Sequence, residues 1–445
     1  MSEALRTRVR GLMGRARDDL AELVAFRSVY DPSQYPEQEC RGAAQWVLDA
    51  CRAEGLTDAG LHEMPDGSVA VVARKAAPAG KPTVLLYSHY DVQPPGDETA
   101  WLTDPWHLTD QPDGRWYGRG AADCKGNLVM HLTALRALGP DLPVGVVLVA
   151  EGSEEQGGAG LEEFVPAHPD LTRADIVLVA DSGNVEVGVP TFTRTLRGTV
   201  NVVVSVATLE GPMHSGSYGG PAPDALVALI RVLGSLHDEK GNVTVRGLEA
   251  DQRWAGVAYP EDRFRADAGV LDGVGLTGGG TVADHVWARP ALTVLGIDCP
   301  PVVGSAAAVQ ASARARLNLR VPPGTDAHEA LRLLTAHLEE VAPWQVRLTV
   351  EPEAVGEPFS ARTGGPAYNL MSEAFKSAFG QDPVSQGQGG SIPLCTVFQR
   401  TYPDAEIMLF GVEEPSCLIH APNESVDPSE IEHFAYAEAL FLGSL

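Results

Sequence analysis

The chain has 445 residues, more than one hydrophobic core normally holds, so we expect two domains. Its 33 lysines and arginines stand against 59 aspartates and glutamates, and the resulting net charge of −26 argues against nucleic acids and anionic membranes as partners. No apolar run reaches the roughly 18 residues that a membrane-spanning helix needs.

The first predicted element is an amphipathic surface helix near the N-terminus. Leu5, Val9, Leu12 and Met13 recur at helical spacing, and the arginine-rich stretch around them lacks the apolar core of a signal peptide. The six cysteines are scattered without a CxxC pair, which favours reduced thiols. We therefore expect a cytoplasmic protein.

The next predicted strands are nearly continuous apolar runs. They are TVLLYS at 83–88, VGVVLVA at 144–150, DIVLVA at 175–180 and EIMLFG at 406–411. Such strands are covered on both faces, as in a mostly parallel sheet sandwiched by helices. A helical pattern over 127–138 lies between the first two. The sequence predicts an α/β domain built from 1–189 and 356–445.

The segment 190–355 follows a different pattern. Three stretches alternate apolar and polar residues, at 199–206, 311–321 and 345–350. Alternation is typical of antiparallel strands with one exposed face. Helical patterns follow at 223–237 and 326–341, and the glycine-rich stretch 268–281 is expected to be a loop. We expect a smaller α+β domain inserted into the larger one.

Potential metal ligands come directly after the apolar strands. His89 and Asp91 follow the first strand, Glu154 and Glu155 follow the second, and Asp181 follows the third. The carboxyl ends of such strands meet at one rim of the sheet, where ligands bind. His89 and Asp91 point the same way in an extended chain, so the carboxylate can orient the imidazole. Glu154 and Glu155 cannot both point one way, so one can bind metal while the other holds a water.

Two further residues complete a set whose charges balance. Asp123 lies in the loop GRGAADCKGN, and His420 lies nine residues beyond the last strand. Two divalent ions bring four positive charges, which three carboxylates and a bridging hydroxide neutralise. A single strand-end acid is usually a helix cap or solvated, and a lone histidine is usually structural. The set as a whole is harder to dismiss, and it predicts a metal site at the rim.

Seven stretches in a fixed order resemble the M20 metallopeptidase family, the group of carnosinase-like dipeptidases, aminoacylases and glutamate carboxypeptidases, and the dipeptidase branch most closely. They are SHYDVQPP at 88–95, GRGAADCKGN at 118–127, EGSEEQGG at 151–158, VADSG at 179–183, MHSGSYGG at 213–220, GGSIP at 389–393 and IHAPNE at 419–424. The resemblance implies a phosphorylase/hydrolase-like fold of the zinc-peptidase type, with 190–355 as a lid and dimerisation domain.

The resemblance also implies two metal ions that share one carboxylate. The implied ligands are His89, Asp123 and Asp181 for one ion and Asp123, Glu155 and His420 for the other. Glu154 is implied as the general base, and Asp91 as the residue that supports His89. Mixed histidine and carboxylate ligation favours zinc, with manganese as the alternative.

Substrate contacts follow from the same resemblance. His214 is expected to stabilise the oxyanion in the partner subunit of a homodimer, although a histidine before Ser-Gly is often only a turn residue. Arg320 is expected to bind the substrate carboxylate, for which a guanidinium is suited, although it also fits an ordinary outward strand arginine. Gly389, Gly390 and Ser391 are expected to offer backbone N–H groups, or else to form a plain turn.

The expected function is hydrolysis of a dipeptide or short peptide with a free C-terminal carboxylate. Alternatives are an N-acyl-amino-acid hydrolase of the same fold and a non-enzymatic metal- or peptide-binding protein, while no G-x-S-x-G sequence supports a serine hydrolase. Two departures bear on substrate identity. Cys124 stands where related dipeptidases often carry a second acid after a peptide bond that is commonly cis, and Gly387 and Gln388 stand where a carnosinase is expected to have Arg-Glu.

Overall fold

The computed structural model describes residues 2–157 and 160–445. Gly158, the last residue of the EGSEEQGG stretch, therefore lies outside the described residues. The chain forms two compact units. The first consists of Met1–Arg194, Ala361–Gln386 and Leu394–Leu445, and the second of Thr195–Ser360 and Gly387–Pro393. The chain passes between the units at 194/195 and 360/361, where the sequence analysis expected 189/190 and 355/356, and it passes again at 386/387 and 393/394. The segment Gly387–Pro393, which the sequence analysis placed in the larger domain, thus belongs to the second unit.

The first unit is built around a mixed sheet with a parallel centre. Its strands run in the order Asp58–Glu63, Val69–Lys75, Gly145–Glu151, Thr83–His89, Ile176–Ala180, Glu406–Phe410 and Thr191–Leu196. The four apolar runs of the sequence are the four adjacent strands in the middle, and they pair in parallel. The predicted fold class, α/β with a mostly parallel sheet, is confirmed. Short strands lie at Thr109–Asp110, Trp116–Tyr117, Val384–Gln388 and Ser425–Val426.

Helices enclose the parallel strands because these strands are apolar on both faces. Every residue of Gly145–Glu151 and Ile176–Ala180 is buried, and burying a valine or leucine side chain stabilises the fold by about 1.5–3 kcal/mol. The α-helices of this unit are Ser2–Ala25, Glu37–Ala53, Lys125–Leu138, Gly160–Ala167, Pro169–Thr172, Pro366–Phe379, Pro393–Thr401 and Pro428–Ser444. Short 3-10 turns lie at Glu98–Ala100, Glu154–Gln156 and Pro415–Cys417.

The N-terminal helix Ser2–Ala25 uses the apolar stripe seen in the sequence. Leu5 and Val9 are buried in the core, and Leu12 and Met13 pack against it. Among the described residues, no helix is both long and apolar enough to span a membrane.

The second unit contains a four-stranded antiparallel sheet. Its strands run in the order Ala291–Asp298, Ser312–Val321, Gly198–Ala207 and Arg347–Gly356. The predicted alternation is present in Ser312–Val321, where the apolar residues are buried and the arginines lie on the other face. The helices Ala225–Gly234 and Ala327–Val341 pack on the buried face. The sheet therefore has one covered and one polar face.

The remaining elements of the second unit are short. They are the strands Met213–His214, Ala308–Val309 and Phe359–Ser360, the α-helices Ser215–Tyr218 and Glu261–Asp267, the π-helix Asp284–Ala288 and the 3-10 turn Pro343–Gln345. The stretch 268–281, which is described throughout, contains no helix or strand, as its glycines predicted.

Candidate metal centre

The carboxyl ends of the parallel strands bring a first group of potential ligands together. His89 is the last residue of its strand, and Asp181 directly follows another. The Nε2 atom of His89 lies 3.0 Å from Oδ1 of Asp123 and 3.2 Å from Oδ1 of Asp181. The ligand atoms of these three residues, together with the sulfur of Cys124, all lie within 4.8 Å of one another. The group is buried.

A second group shares one residue with the first. The Nε2 atom of His420 lies 3.0 Å from Oδ2 of Asp123 and 3.2 Å from Oε2 of Glu155. Asp123 therefore turns one carboxylate oxygen toward His89 and the other toward His420. A carboxylate in this position is able to bridge two cations.

The donor atoms fit cations because several of them face one another without a proton between them. The Nδ1 atom of His89 lies 3.0 Å from the backbone oxygen of Asp91, so we assign the ring proton to Nδ1 and a lone pair to Nε2. That lone pair faces carboxylate oxygens. Nε2 of His89 and Oε1 of Glu155 are buried and have no hydrogen-bond partner among the described residues. Acceptors in this arrangement repel one another unless a cation lies between them.

Asp91 fixes the two adjacent glutamates. Its Oδ1 and Oδ2 atoms accept hydrogen bonds from the backbone N–H groups of Glu154 and Glu155, at 3.2 Å and 3.0 Å. These hydrogen bonds hold the turn Glu154–Gln156, from which Glu154 lies near His89 and Glu155 lies near His420. The contact of Asp91 with His89 is made by its backbone oxygen, while its Oδ1 atom lies 3.5 Å from Nδ1. Asp91 thus orients both the histidine and the acids.

Glu154 has the environment of a general base. Its Oε2 atom lies 4.0 Å from Nε2 of His89, and its side chain is 23% exposed. Burial raises the pKa of Glu154 well above its ordinary value, and repulsion from Asp181 and Asp91 adds to the effect. A carboxyl group with a raised pKa can exchange protons near neutral pH.

Glu424 holds the loop that carries Asp123, a role the sequence analysis missed. One oxygen of its fully buried carboxylate accepts from the backbone N–H groups of Ala122 and Asp123, at 3.1 Å and 3.0 Å. The other oxygen accepts from the N–H of Gly120 at 2.9 Å and from the guanidinium of Arg119 at 2.7 Å. Glu424 is the last residue of the IHAPNE stretch, but the sequence of that stretch does not indicate that its side chain binds a distant loop.

Two more neighbours of the centre were not assigned from the sequence. Cys124 follows a cis peptide bond, and its thiol donates to the backbone oxygen of Ala180 at 3.0 Å. Burial raises the pKa of Cys124 to about 12, so the thiol keeps its proton. Glu413 is buried and accepts from Nδ2 of Asn127 at 2.9 Å. It follows the strand Glu406–Phe410, so the strand-end rule that found Asp181 pointed to it as well.

The other predicted site residues belong to the second unit. His214 precedes the short helix Ser215–Tyr218, and its Nδ1 atom accepts from the N–H groups of Gly216 and Ser217 at 3.1 Å and 3.2 Å. Its Nε2 atom therefore carries the proton and is the donor. Arg320 lies on the polar face of the strand Ser312–Val321. Three more lie in the segment Gly387–Pro393, namely Gly389, Gly390 and Ser391.

Comparison with known proteins identifies the family of the chain. The sequence model of peptidase family M20/M25/M40 matches residues 85–443. The chain belongs to this family. It is 45% identical over 440 residues to the cysteinylglycine-S-conjugate dipeptidase of Corynebacterium striatum, covering 96% of this chain and 95% of that protein. It is 29% identical over 396 residues to the Beta-Ala-His dipeptidase of Rattus norvegicus, covering 83% of this chain and 79% of that protein.

A solved structure is similar to this chain over its whole length. Human carnosine dipeptidase 1 superimposes with a TM-score of 0.81 at 25% identity, over 100% of this chain and 99% of that one. The family membership shows that the chain is a metal-dependent peptidase. The resemblance to the dipeptidase branch of this family and the prediction of an enzyme are confirmed.

Proposed function

We propose that this metallopeptidase hydrolyses dipeptides with a free C-terminal carboxylate at a centre for two divalent ions. One observation carries the proposal: Asp123 directs one oxygen to each of two ligand groups, and Glu154 stands beside them. The names of the relatives, which describe dipeptidases, support the substrate class.

The ligands divide into two sets that share Asp123. His89, Asp123 and Asp181 would hold one ion, and Asp123, Glu155 and His420 the other. When bound, such ions polarise the scissile carbonyl and lower the pKa of water. The mixture of imidazole and carboxylate favours zinc, and manganese accepts the same donors.

The chain's own residues handle the protons. Glu154 takes a proton from the water that attacks the carbonyl carbon, and it delivers this proton to the leaving nitrogen as the carbon–nitrogen bond breaks. Asp91 keeps Glu154 in place through the backbone N–H of that residue. The raised pKa of Glu154 suits both steps, since the group must accept and release a proton in each cycle.

Residues of the second unit bind the substrate. His214 donates from Nε2 to the developing oxyanion of a substrate in the partner subunit, and Arg320 binds the C-terminal carboxylate. Backbone N–H groups from Gly389 to Ser391 contact the same carboxylate.

This role of His214 requires a homodimer. The strand Ala291–Asp298 supports one, because it is an edge of its sheet and exposes Val294, Leu295 and Ile297. Sedimentation of the purified protein tests the dimer, and a monomer at micromolar concentration would contradict it.

The cytoplasm is the proposed location. Six free cysteines support it, and five of them are buried without a disulfide. Fractionation of the source cells tests this assignment.

The decisive experiment combines metal analysis with a substrate panel. Purified protein is expected to contain two ions per chain and to cleave dipeptides faster than N-acyl amino acids. Chelation should abolish the activity, and zinc or manganese should restore it. Faster cleavage of N-acyl amino acids would replace the dipeptidase assignment with that of an acylase. Full activity in the chelated protein would contradict the metal centre.

A further inference from the structure

Arg197, between the strands Thr191–Leu196 and Gly198–Ala207, is a buried cation without a counter-ion in residues 2–157 and 160–445. Its side chain is only 8% exposed, and no carboxylate pairs with it among the residues that the structure describes. Its Nη1 atom donates to the backbone oxygen of His285 at 3.1 Å. Its Nε atom is buried and has no hydrogen-bond partner within the described part of the chain. Burying an unpaired charge costs several kcal/mol. A ligand carboxylate would supply the missing partner.

Arg320, on the neighbouring strand, is a second arginine for which the described part of the chain offers no acidic partner. Burial lowers the pKa of Arg197 to about 10, and repulsion from Arg320 is the second cause. In the sheet, Arg320 lies opposite Thr199, two residues after Arg197, while Val321 lies opposite Gly198 and faces the core. The side chain of Arg320 therefore lies on the polar face of the sheet.

The other arginines of the same strand show what an ordinary strand arginine does here. Arg314 pairs with Asp298, and the Nε atom of Arg316 lies 2.6 Å from Oε2 of Glu353. Both of these ion pairs are exposed. Arg320, which is more buried, has no acidic partner among the described residues. On the strand Ser312–Val321, therefore, Arg320 lacks the acidic partner that Arg314 and Arg316 have.

The glycine-rich segment lies directly against Arg197. A Cβ atom on Gly389 would lie 2.7 Å from Nη2 of Arg197, and one on Gly387 would lie 2.8 Å from Oγ1 of Thr195. The backbone N–H of Arg197 donates to the backbone oxygen of Gln388 at 3.2 Å. Only residues without a side chain leave room here, so the backbone of this segment forms one wall beside the guanidinium.

We propose that Arg197 and Arg320 together form the subsite for the free C-terminal carboxylate of the substrate, with Arg197 presenting its Nε–Nη2 edge. Nη1 is already bound to His285, and the Nε–Nη2 edge carries the two parallel N–H groups that a carboxylate accepts. The inference rests on the proposed function, because that function supplies the carboxylate. It adds Arg197, which looks in the sequence like an ordinary residue between two strands.

The test compares a dipeptide with its amide. Zinc-loaded full-length variants Arg197→Met, Arg197→Lys and Arg320→Met are assayed with Ala-Gly and Ala-Gly-amide, and Arg316→Met is the matched control. Loss of charge-assisted hydrogen bonds should raise KM for Ala-Gly about 10- to 100-fold in Arg197→Met and Arg320→Met, with little change in kcat. The amide should be affected little. Arg197→Lys should recover part of the loss, and Arg316→Met should resemble the parent.

Binding separates this inference from the proposed function. Calorimetry with Ala-Gly in a Glu154→Gln background reports the subsite without turnover, and thermal unfolding shows that each variant is folded. Weaker binding of Ala-Gly on adding Arg197→Met supports the subsite even if the parent hydrolyses no dipeptide, which would contradict only the proposed function. Equal losses on Ala-Gly and its amide, or unchanged binding of Ala-Gly, would overturn the role of Arg197.

Discussion

The two units contain opposite charge imbalances. In the first unit, the carboxylates of Asp123 and Asp181 face the lone pair on Nε2 of His89, and Oε1 of Glu155 has no hydrogen-bond donor among the described residues. In the second unit, Arg197 and Arg320 lack an acid among the described residues. Each imbalance corresponds to something that a peptidase must hold: metal ions in the first case and a substrate carboxylate in the second.

A buried pair elsewhere shows the structural alternative. Arg119 and Glu424 are almost fully buried, and their nearest charged atoms lie 2.7 Å apart. This chain therefore satisfies a buried charge internally when that charge serves the fold. We infer that the unmatched charges in these two places indicate ligands, and the predictions below test this inference.

The largest effect should come from Glu154, whose proposed role is to transfer protons. Glu154→Gln keeps the size of the side chain but removes the base, so kcat should fall by about 10²- to 10⁴-fold. The metal content should not change, since Glu154 is not among the proposed ligands. Steady-state kinetics and metal analysis check both points, with the exposed Glu163→Gln as the control. Retained activity would exclude Glu154 as the base.

The sequence predicted the acidic cluster of the first unit better than the arginines of the second that lack an acidic partner among the described residues. His89, Asp181 and the two glutamates could be found because apolar strands mark where their side chains meet. His420 entered the predicted set as a histidine nine residues beyond the last strand. Its grouping with Asp123 and Glu155 was implied by the resemblance, since a loop residue with a φ of 61° does not follow from strand patterns. Arg197 could not be found, because the absence of a partner becomes visible only in three dimensions.

The supporting residues of the centre were hidden for a related reason. Glu424 binds a loop about three hundred positions earlier in the chain, and hydrogen bonds of that range leave no periodic signal. The hydrophobic pattern therefore predicted the sheets and the helices on them, while long-range polar contacts had to be observed.

Removal of the metal ions should destabilise the protein, because the clustered carboxylates of the first unit would then repel one another. Zinc at a free concentration of about 100 times its Kd stabilises a folded protein by about 2.7 kcal/mol for one site. Urea unfolding with and without chelator should show a loss of at least this size. In Asp123→Asn, where the shared ligand is weakened, the chelator should matter much less. Equal unfolding curves for the parent protein would mean that its acids need no cation.

Glu430 is a buried carboxylate whose hydrogen-bond donors among the described residues are neutral, so it should make the stability of the protein depend on pH. It accepts from the side-chain amide of Asn184 and, at 2.8 Å, from the N–H of Gly188. Burial raises its pKa from 4.5 to about 7. The folded protein therefore binds more protons than the unfolded chain between these values, and stability falls as the pH rises from 4.5 through 7.

Glu430→Gln should remove this contribution, which is about 3 kcal/mol at most by the conversion of 1.36 kcal/mol per pKa unit. The free energy of unfolding, measured in urea at pH 5 and pH 8, should differ less in the variant than in the parent. Glu432→Gln, on the same helix and partly exposed, is the control and should keep the parent's pH dependence. An unchanged difference in Glu430→Gln would show that this carboxylate is charged throughout.

Glu424 tests whether a buried pair that serves the fold also serves the centre. Glu424→Gln removes the charge that holds Arg119 and the N–H groups around Asp123, so the loop should loosen. Loss of such a supporting contact typically lowers metal affinity by about 10- to 100-fold. Competition with a zinc-binding dye measures this, and Glu63→Gln, which breaks an exposed pair with Arg41, should leave affinity unchanged. Unaltered affinity in Glu424→Gln would limit Glu424 to folding.

The smallest expected effect is a difference in the free energy of unfolding between variants of two arginines on one strand, Arg316 and Arg320. Arg316→Met breaks an exposed ion pair with Glu353 and should cost about 0.2–1 kcal/mol. Arg320→Met removes a more buried cation that forms no ion pair among the described residues. The substitution should therefore leave the free energy of unfolding unchanged or increase it. Urea unfolding of the substrate-free protein measures both. If Arg320→Met is the more destabilising of the two, then Arg320 has a structural partner, and the unmatched charge in the second unit no longer indicates a ligand.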